Sequence, residues 1–316
     1  MIASVARSDA ALVDIVREFL LAHRELRRLF ARHRQGTLRW DEVQRLVGDD
    51  EGSVLFRLKE RSHALFRAGV SGADLPRVAL FDLAVGSLFH EAMKLRENFY
   101  QLEVYAPKVE AARADAEPGS EALFDEFARI LSASRERLEE ALGETESLLE
   151  QTRGQFRVLL AAQRENGFVN RYLLENASLA EEVLGAPIDA LFASIHGDPV
   201  TGYAIAARSY LESGHFDEAR KALAEASARD PGRAALHTDA AYAEGMSAWL
   251  RGDYEQALAH LERWVAEPLA ERDAPFRALA LAAISRLGQL VEGEQAEALT
   301  ARAAALGRAL AGPAAA

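Results

Sequence analysis

Apolar residues recur at intervals of three and four along almost the whole chain, the period of an α-helix. Leu12, Ile15, Val16, Phe19, Ala22, Leu26, Leu29 and Phe30 predict a first helix, capped by Ser8 after loose residues 1–8 and ending near Gln35-Gly36. Val43, Leu46 and Val47 predict a short helix, broken by the acidic stretch 48–52. That stretch lacks the alternating oxygen ligands and closing glutamate of a calcium loop, so it reads as a helix start. Val54, Leu55, Leu58, Leu65 and Phe66 carry the next helix to Gly69.

The strongest pattern covers 75–104. Val78, Phe81, Val85, Leu88, Ala92, Leu95, Phe99 and Leu102 alternate spacings of three and four, a seven-residue repeat that packs lengthwise on another helix. Pro76 suits its first turn and Pro107 ends or kinks it. After the turn 115–120, Ser120 caps a second long helix reaching Arg164, with Leu123, Phe124, Phe127, Leu131, Leu138, Ala141, Leu148 and Leu159 near one face. Ser134, Thr145 and Thr152 dilute that seam, and Gly143 and Gly154 mark candidate breaks. Two long helices joined by a short loop predict an antiparallel hairpin. Residues 165–199 read as a junction of short helices, with the domain boundary near residue 197.

Composition narrows the classes. The chain has 316 residues, 49% of them apolar, and a formal charge of −12, which disfavours nucleic acid and anionic membrane as partners. The absence of cysteine excludes disulfides and thiolate metal sites and fits a reducing, cytoplasmic setting. The start of the chain lacks the pattern of a signal peptide, and no apolar run is long enough to span a bilayer. Abundant alanine and arginine point to GC-rich bacterial coding. One local exception to the acidity is the face carrying Arg24, Arg27, Arg28, Arg32 and Arg34. It reads as paired with the acidic side of the second long helix, or as an anion patch.

Tyr203 to Pro231 forms a helix–turn–helix unit. Tyr203, Ala206, Ala207 and Tyr210 lead to Ser213-Gly214; Phe216, Ala219, Leu223 and Ala226 follow, and Asp230-Pro231 stops the second helix. A second copy lies 38 residues on: Ala241, Gly245, Ala248 and Trp249, the turn Arg251-Gly252, then Tyr254, Ala257 and Leu261. Glu244 and Trp264 depart from the pattern. A third pair, Pro275–Leu290 and Glu294–Leu310, keeps only the periodicity. Residues 200–310 thus resemble the tetratricopeptide repeat family, whose unit is usually about 34 residues. The resemblance implies a concave groove that binds a protein or peptide. Projected here, its anchors are Arg208, Leu211, Tyr242, Met246 and Trp249, and the Lys/Asn set that clamps a carboxylate terminus is absent.

The expected fold is therefore all-α: an elongated helical bundle with a long antiparallel hairpin over 1–196, then a short repeat solenoid over 197–312. The expected function is a non-enzymatic adaptor or scaffold, with no cofactor, catalytic or metal residues. Two alternatives stand beside it. One is a structural homo-oligomer assembled through the long helices. The other is a metal-dependent helical enzyme built on the Glu60–His63 step, although no second such step exists. There is no phosphate-binding glycine loop, nucleophile elbow or kinase motif set.

Overall fold

The computed structural model describes residues 2–68, 74–114, 117, 119–267, 273–292 and 296–311. Helices are α1 (Ile2–Arg34), α2 (Trp40–Leu46), α3 (Val54–Arg67), α4 (Leu75–Tyr100), a π-helical segment (Gln101–Tyr105), α5 (Ala106–Ala114), α6 (Glu121–Ala162), α7 (Gly167–Glu175), α8 (Ala177–Leu184), α9 (Ile188–His196), α10 (Pro199–Glu212), α11 (Phe216–Arg229), α12 (Ala234–Leu250), α13 (Tyr254–Ala266), α14 (Ala274–Ile284), α15 (Leu287–Leu290) and α16 (Ala296–Ala311). There is no strand among the described residues, so the fold is all-α. The chain forms two compact units that exchange short segments: 1–163 with 176–187, and 164–175 with 188–316. The expected stop at Gly69, most of the turn 115–118 and the helix start at Glu294 lie outside the described residues.

In the first unit, α1, α4 and α6 meet around a cluster of three phenylalanines, and α3 packs on α1 and α4. Phe19 lies 4.0 Å from Phe156 and 6.0 Å from Phe81, centroid to centroid. Every residue of the α4 repeat from Val78 to Phe99 is buried. Thr152 Oγ1 donates to the Ala84 carbonyl while Ser134 Oγ donates to Gln101 further along, so α4 and α6 run antiparallel. Ser134, Thr145 and Thr152 do not break this seam. They are buried in it, and the two threonines donate to carbonyls one turn back, Thr145 to Ala141 at 2.6 Å and Thr152 to Leu148 at 2.7 Å, the single Thr152 hydroxyl hydrogen being shared with Ala84. Gly143 and Gly154 do not break α6 either, since packing over its length outweighs their weak helix propensity.

The arginine face of α1 is paired within the unit. Arg27 meets Glu146 at 3.5 Å and Glu150 at 3.7 Å, Arg34 meets Glu146 at 3.4 Å, and His33 meets Glu139 at 3.1 Å. The buried Glu18 carboxylate is held by Arg57 at 3.2 Å and lies 3.7 Å from Arg61. Two expected caps differ. Helix α1 already begins at Ile2, so Ser8 lies inside it. Ser120 precedes α6, but its hydroxyl donates to the Glu117 carbonyl at 2.6 Å instead of accepting from the helix. Pro107 does not end the helix. The π-helical segment directly before it absorbs the missing N–H, with the Ala106 N–H reaching back to Gln101.

In the second unit α10–α11 and α12–α13 are successive hairpins with the same turn. His215 N–H bonds the Tyr210 carbonyl at 2.9 Å and Gly214 N–H the Leu211 carbonyl at 3.1 Å. Asp253 N–H bonds Ala248 at 3.0 Å and Gly252 N–H bonds Trp249 at 3.0 Å. This double bond pattern ends a helix on a left-handed residue, and Gly214 and Gly252 take φ of +75° and +80°. Two other glycines let helices touch. A Cβ on Gly202 would stand 2.3 Å from the Phe192 ring, and one on Gly245 would stand 2.8 Å from Leu261.

Candidate protein-binding surfaces

The expected groove residues of the second unit are mostly core. Tyr242 is 0% exposed, Leu211 1% and Met246 3%. For Tyr242 the physical reason is α14, whose Phe276 lies flat against it at 4.9 Å, while Trp264 packs on the same ring at 4.7 Å. The slot that the sequence left open for a partner is filled by the chain itself. Arg208 sits at the edge of that slot. It reaches both Asp239 oxygens at 3.4 Å, pairs with Asp273, and lies 5.3 Å over the Phe276 ring. Both carboxylates are buried, so Arg208 is committed to structure. The Tyr242 hydroxyl has no hydrogen-bond partner among the described residues, and burial pushes its pKa up. Trp249, like Arg208, remains half-buried, edge-on to Tyr254 at 5.0 Å and next to Leu250, which is 70% exposed.

A second polar cluster ties α9, α10 and α11. Arg229 lies 4.4 Å over the Tyr203 ring and bonds Asp189 at 2.9 Å, which accepts from the Tyr203 hydroxyl at 2.8 Å. The Arg229 hydrogen bond holds the Asp189 carboxyl below its usual range, while burial raises the Tyr203 phenol to about 12. Every member has a partner, so the cluster reads as structure.

The Glu60–His63 step gathers no further ligands. Glu60 is exposed and faces Lys59 at 3.6 Å. His63 Nδ1 lies 3.3 Å from Asp82, whose other oxygen accepts from Ser62 at 2.7 Å. Serine and histidine both meet the aspartate and not each other, so this is no nucleophile–base pair. Among the described residues no three His, Cys, Asp or Glu stand together as metal ligands.

The surface that the sequence reading missed is the far end of the α4–α6 hairpin. From 101 to 133 no described residue is fully buried, yet the helical apolar period continues. The first 13 residues of α6 extend about 20 Å beyond its buried part. Phe124, Phe127 and Leu131 are half-covered by the π-helical segment and α5. On the adjoining stripe, one step round the helix, Leu123 is 75% exposed and Ile130 47%. Between α5 and the start of α6 lies an open cavity of about 390 Å³, lined by Val109, Ala112, Leu123, Phe124 and Phe127 with Glu117 and Ser120 at its end. Arg113 lies over Phe124 at 5.8 Å and 4.0 Å from Asp125 on the covered side. The signal was present in the sequence, but periodicity cannot tell a covered stripe from an open one.

No helix among the described residues is long and apolar enough to cross a membrane. No family model matches this chain, and no curated protein or solved structure matches it.

Proposed function

We propose that the protein is a non-enzymatic adaptor or scaffold that holds a partner protein. The observation that carries this reading is the exposed pair Leu123 and Ile130 beside half-covered Phe127 on the hairpin arm. Large apolar side chains left in water on one edge of a helix, beside an open apolar cavity, mark a contact surface. The repeated turns of α10–α11 and α12–α13 support reading 200–310 as tetratricopeptide-like. In this reading that array is a rigid body whose groove is closed by α14, with Trp249 and Leu250 as its remaining apolar edge. A cytoplasmic bacterial setting rests on the cysteine-free, alanine- and arginine-rich composition.

The test is affinity capture from the source lysate with three baits: wild type, Leu123→Ser/Ile130→Ser, and Trp249→Ala. Circular dichroism melts verify that each is folded. A stoichiometric partner held by wild type and Trp249→Ala but lost by the arm variant supports the reading. Equal recovery with all three baits overturns it. A second reading, self-assembly through the same stripe, predicts a concentration-dependent mass in light scattering that the arm variant abolishes.

A further inference from the structure

We infer that the open side of the hairpin arm receives an amphipathic helix of a partner protein whose apolar face is flanked by lysine or arginine. This rests on the adaptor reading above and names the chemistry of the partner. The geometry of the arm sets the shape of the occupant. Leu123, Phe127 and Ile130 lie at spacings of four and three, one edge of a helix surface. The neighbouring stripe, Phe124, Phe127 and Leu131, is already half-covered by the arm's own π-helical segment and α5. The result is a two-helix groove with one open side, and Val109 and Ala112 form its opposite wall. A third helix completes such a groove, anchoring side chains at i, i+3 or i+4, and i+7. The open stripe from Leu123 to Ile130 is about 10 Å long, so the occupant makes its contact over about two helical turns.

Charge chooses between occupants. Along 101–133 seven carboxylates face three cations. Two of those cations are engaged on the arm, Arg113 with Asp125 and Arg129 with Glu126. At the groove itself Glu117 closes one end, while Glu126, beside the Leu123–Ile130 edge in sequence, is already paired with Arg129. A second copy of this chain brings the same excess of negative charge and is repelled. An anionic membrane is repelled likewise. A basic helix gains both apolar burial and attraction, and its association weakens with salt. The π-helical segment and Pro107 sit where the arm leaves the bundle, a local irregularity of the kind that re-aims a helix face.

The experiment uses the full chain and two synthetic helical peptides of about 18 residues. Both carry the same leucine face, one with lysine flanks and one with glutamate flanks. Binding is read by fluorescence anisotropy at low and high salt. The expected result is that the lysine peptide binds at least tenfold tighter than the glutamate peptide. That binding falls at least tenfold in Leu123→Ser/Ile130→Ser, whose exposed side chains leave the melting temperature unchanged, and it weakens with added salt. Equal affinity for both peptides overturns the charge assignment, and binding unchanged by the arm variant overturns the site. A dimer in light scattering that the arm variant dissolves makes a second copy the occupant and overturns the inference. Failure of the lysine peptide beside arm-dependent capture of a lysate partner rejects this chemistry and leaves the adaptor reading standing; loss of both rejects both.

Discussion

Replacing Tyr242 by phenylalanine tests whether the groove of the second unit is closed. The ring is 0% exposed, with Trp264 at 4.7 Å, Phe276 at 4.9 Å and Phe216 at 6.1 Å. All of that packing survives the substitution, because only the hydroxyl is removed. The hydroxyl is buried and has no hydrogen-bond partner among the described residues. Burying such a group unpaired costs about 1–3 kcal/mol. The small void left by the oxygen returns part of this, so Tyr242→Phe should stabilise the protein by about 1 kcal/mol. Tyr242→Ala should destabilise it by about 3–5 kcal/mol, because it empties a dry aromatic slot. The assay is urea unfolding followed by tryptophan emission, to which Trp264 contributes, comparing midpoints at matched slopes. A loss of about 1 kcal/mol or more in Tyr242→Phe would refute the reasoning. It would mean that the hydroxyl has a partner and that the slot is open enough to admit one.

Three further outcomes follow from the same geometry. Arg208→Ala should cost about 3–5 kcal/mol in chemical denaturation, because it leaves buried Asp239 and Asp273 without their guanidinium; a change under about 1 kcal/mol would return Arg208 to the surface. Gly202→Ala should cost about 1–3 kcal/mol, since its new Cβ meets Phe192 ring and Cβ atoms at 2.3–2.7 Å, and a neutral melt would show that α9 and α10 can move apart freely. His23 is buried beside Phe19, its pKa lowered to about 4 first by burial and then by Arg153 and Arg27, with Glu150 3.9 Å away. Between that value and about 6.5 the unfolded chain binds more protons than the folded one, so this contribution is complete above about pH 6.5. It is lost as pH falls toward 4, by roughly 3 kcal/mol. His23→Leu should flatten that part of the stability profile, and an unchanged slope would assign it to other groups.

Much of the architecture was legible in the chain. The seven-residue repeat from Val78 to Phe99 is buried without exception, and the turns at Ser213-Gly214 and Arg251-Gly252 stand where helix period and glycine put them. Such features are local: a helix period is a property of neighbours along the chain, and a left-handed turn needs a residue without a Cβ. The candidate site was legible only as a class. Tyr242 and Phe127 look alike in sequence, each an aromatic on an apolar helical stripe. Tertiary structure separates them, because Phe276, 34 residues after Tyr242, closes over one, while nothing among the described residues closes over the stripe beside Phe127. The seam serines and threonines make the same point from the polar side. In sequence they read as interruptions; in the fold, hydrogen bonds satisfy their hydroxyls and let the seam continue. The sequence alone determines that a helix has an apolar face. Whether that face meets the chain's own core or is left for another molecule depends on segments distant in sequence, and only the packed structure brings them together.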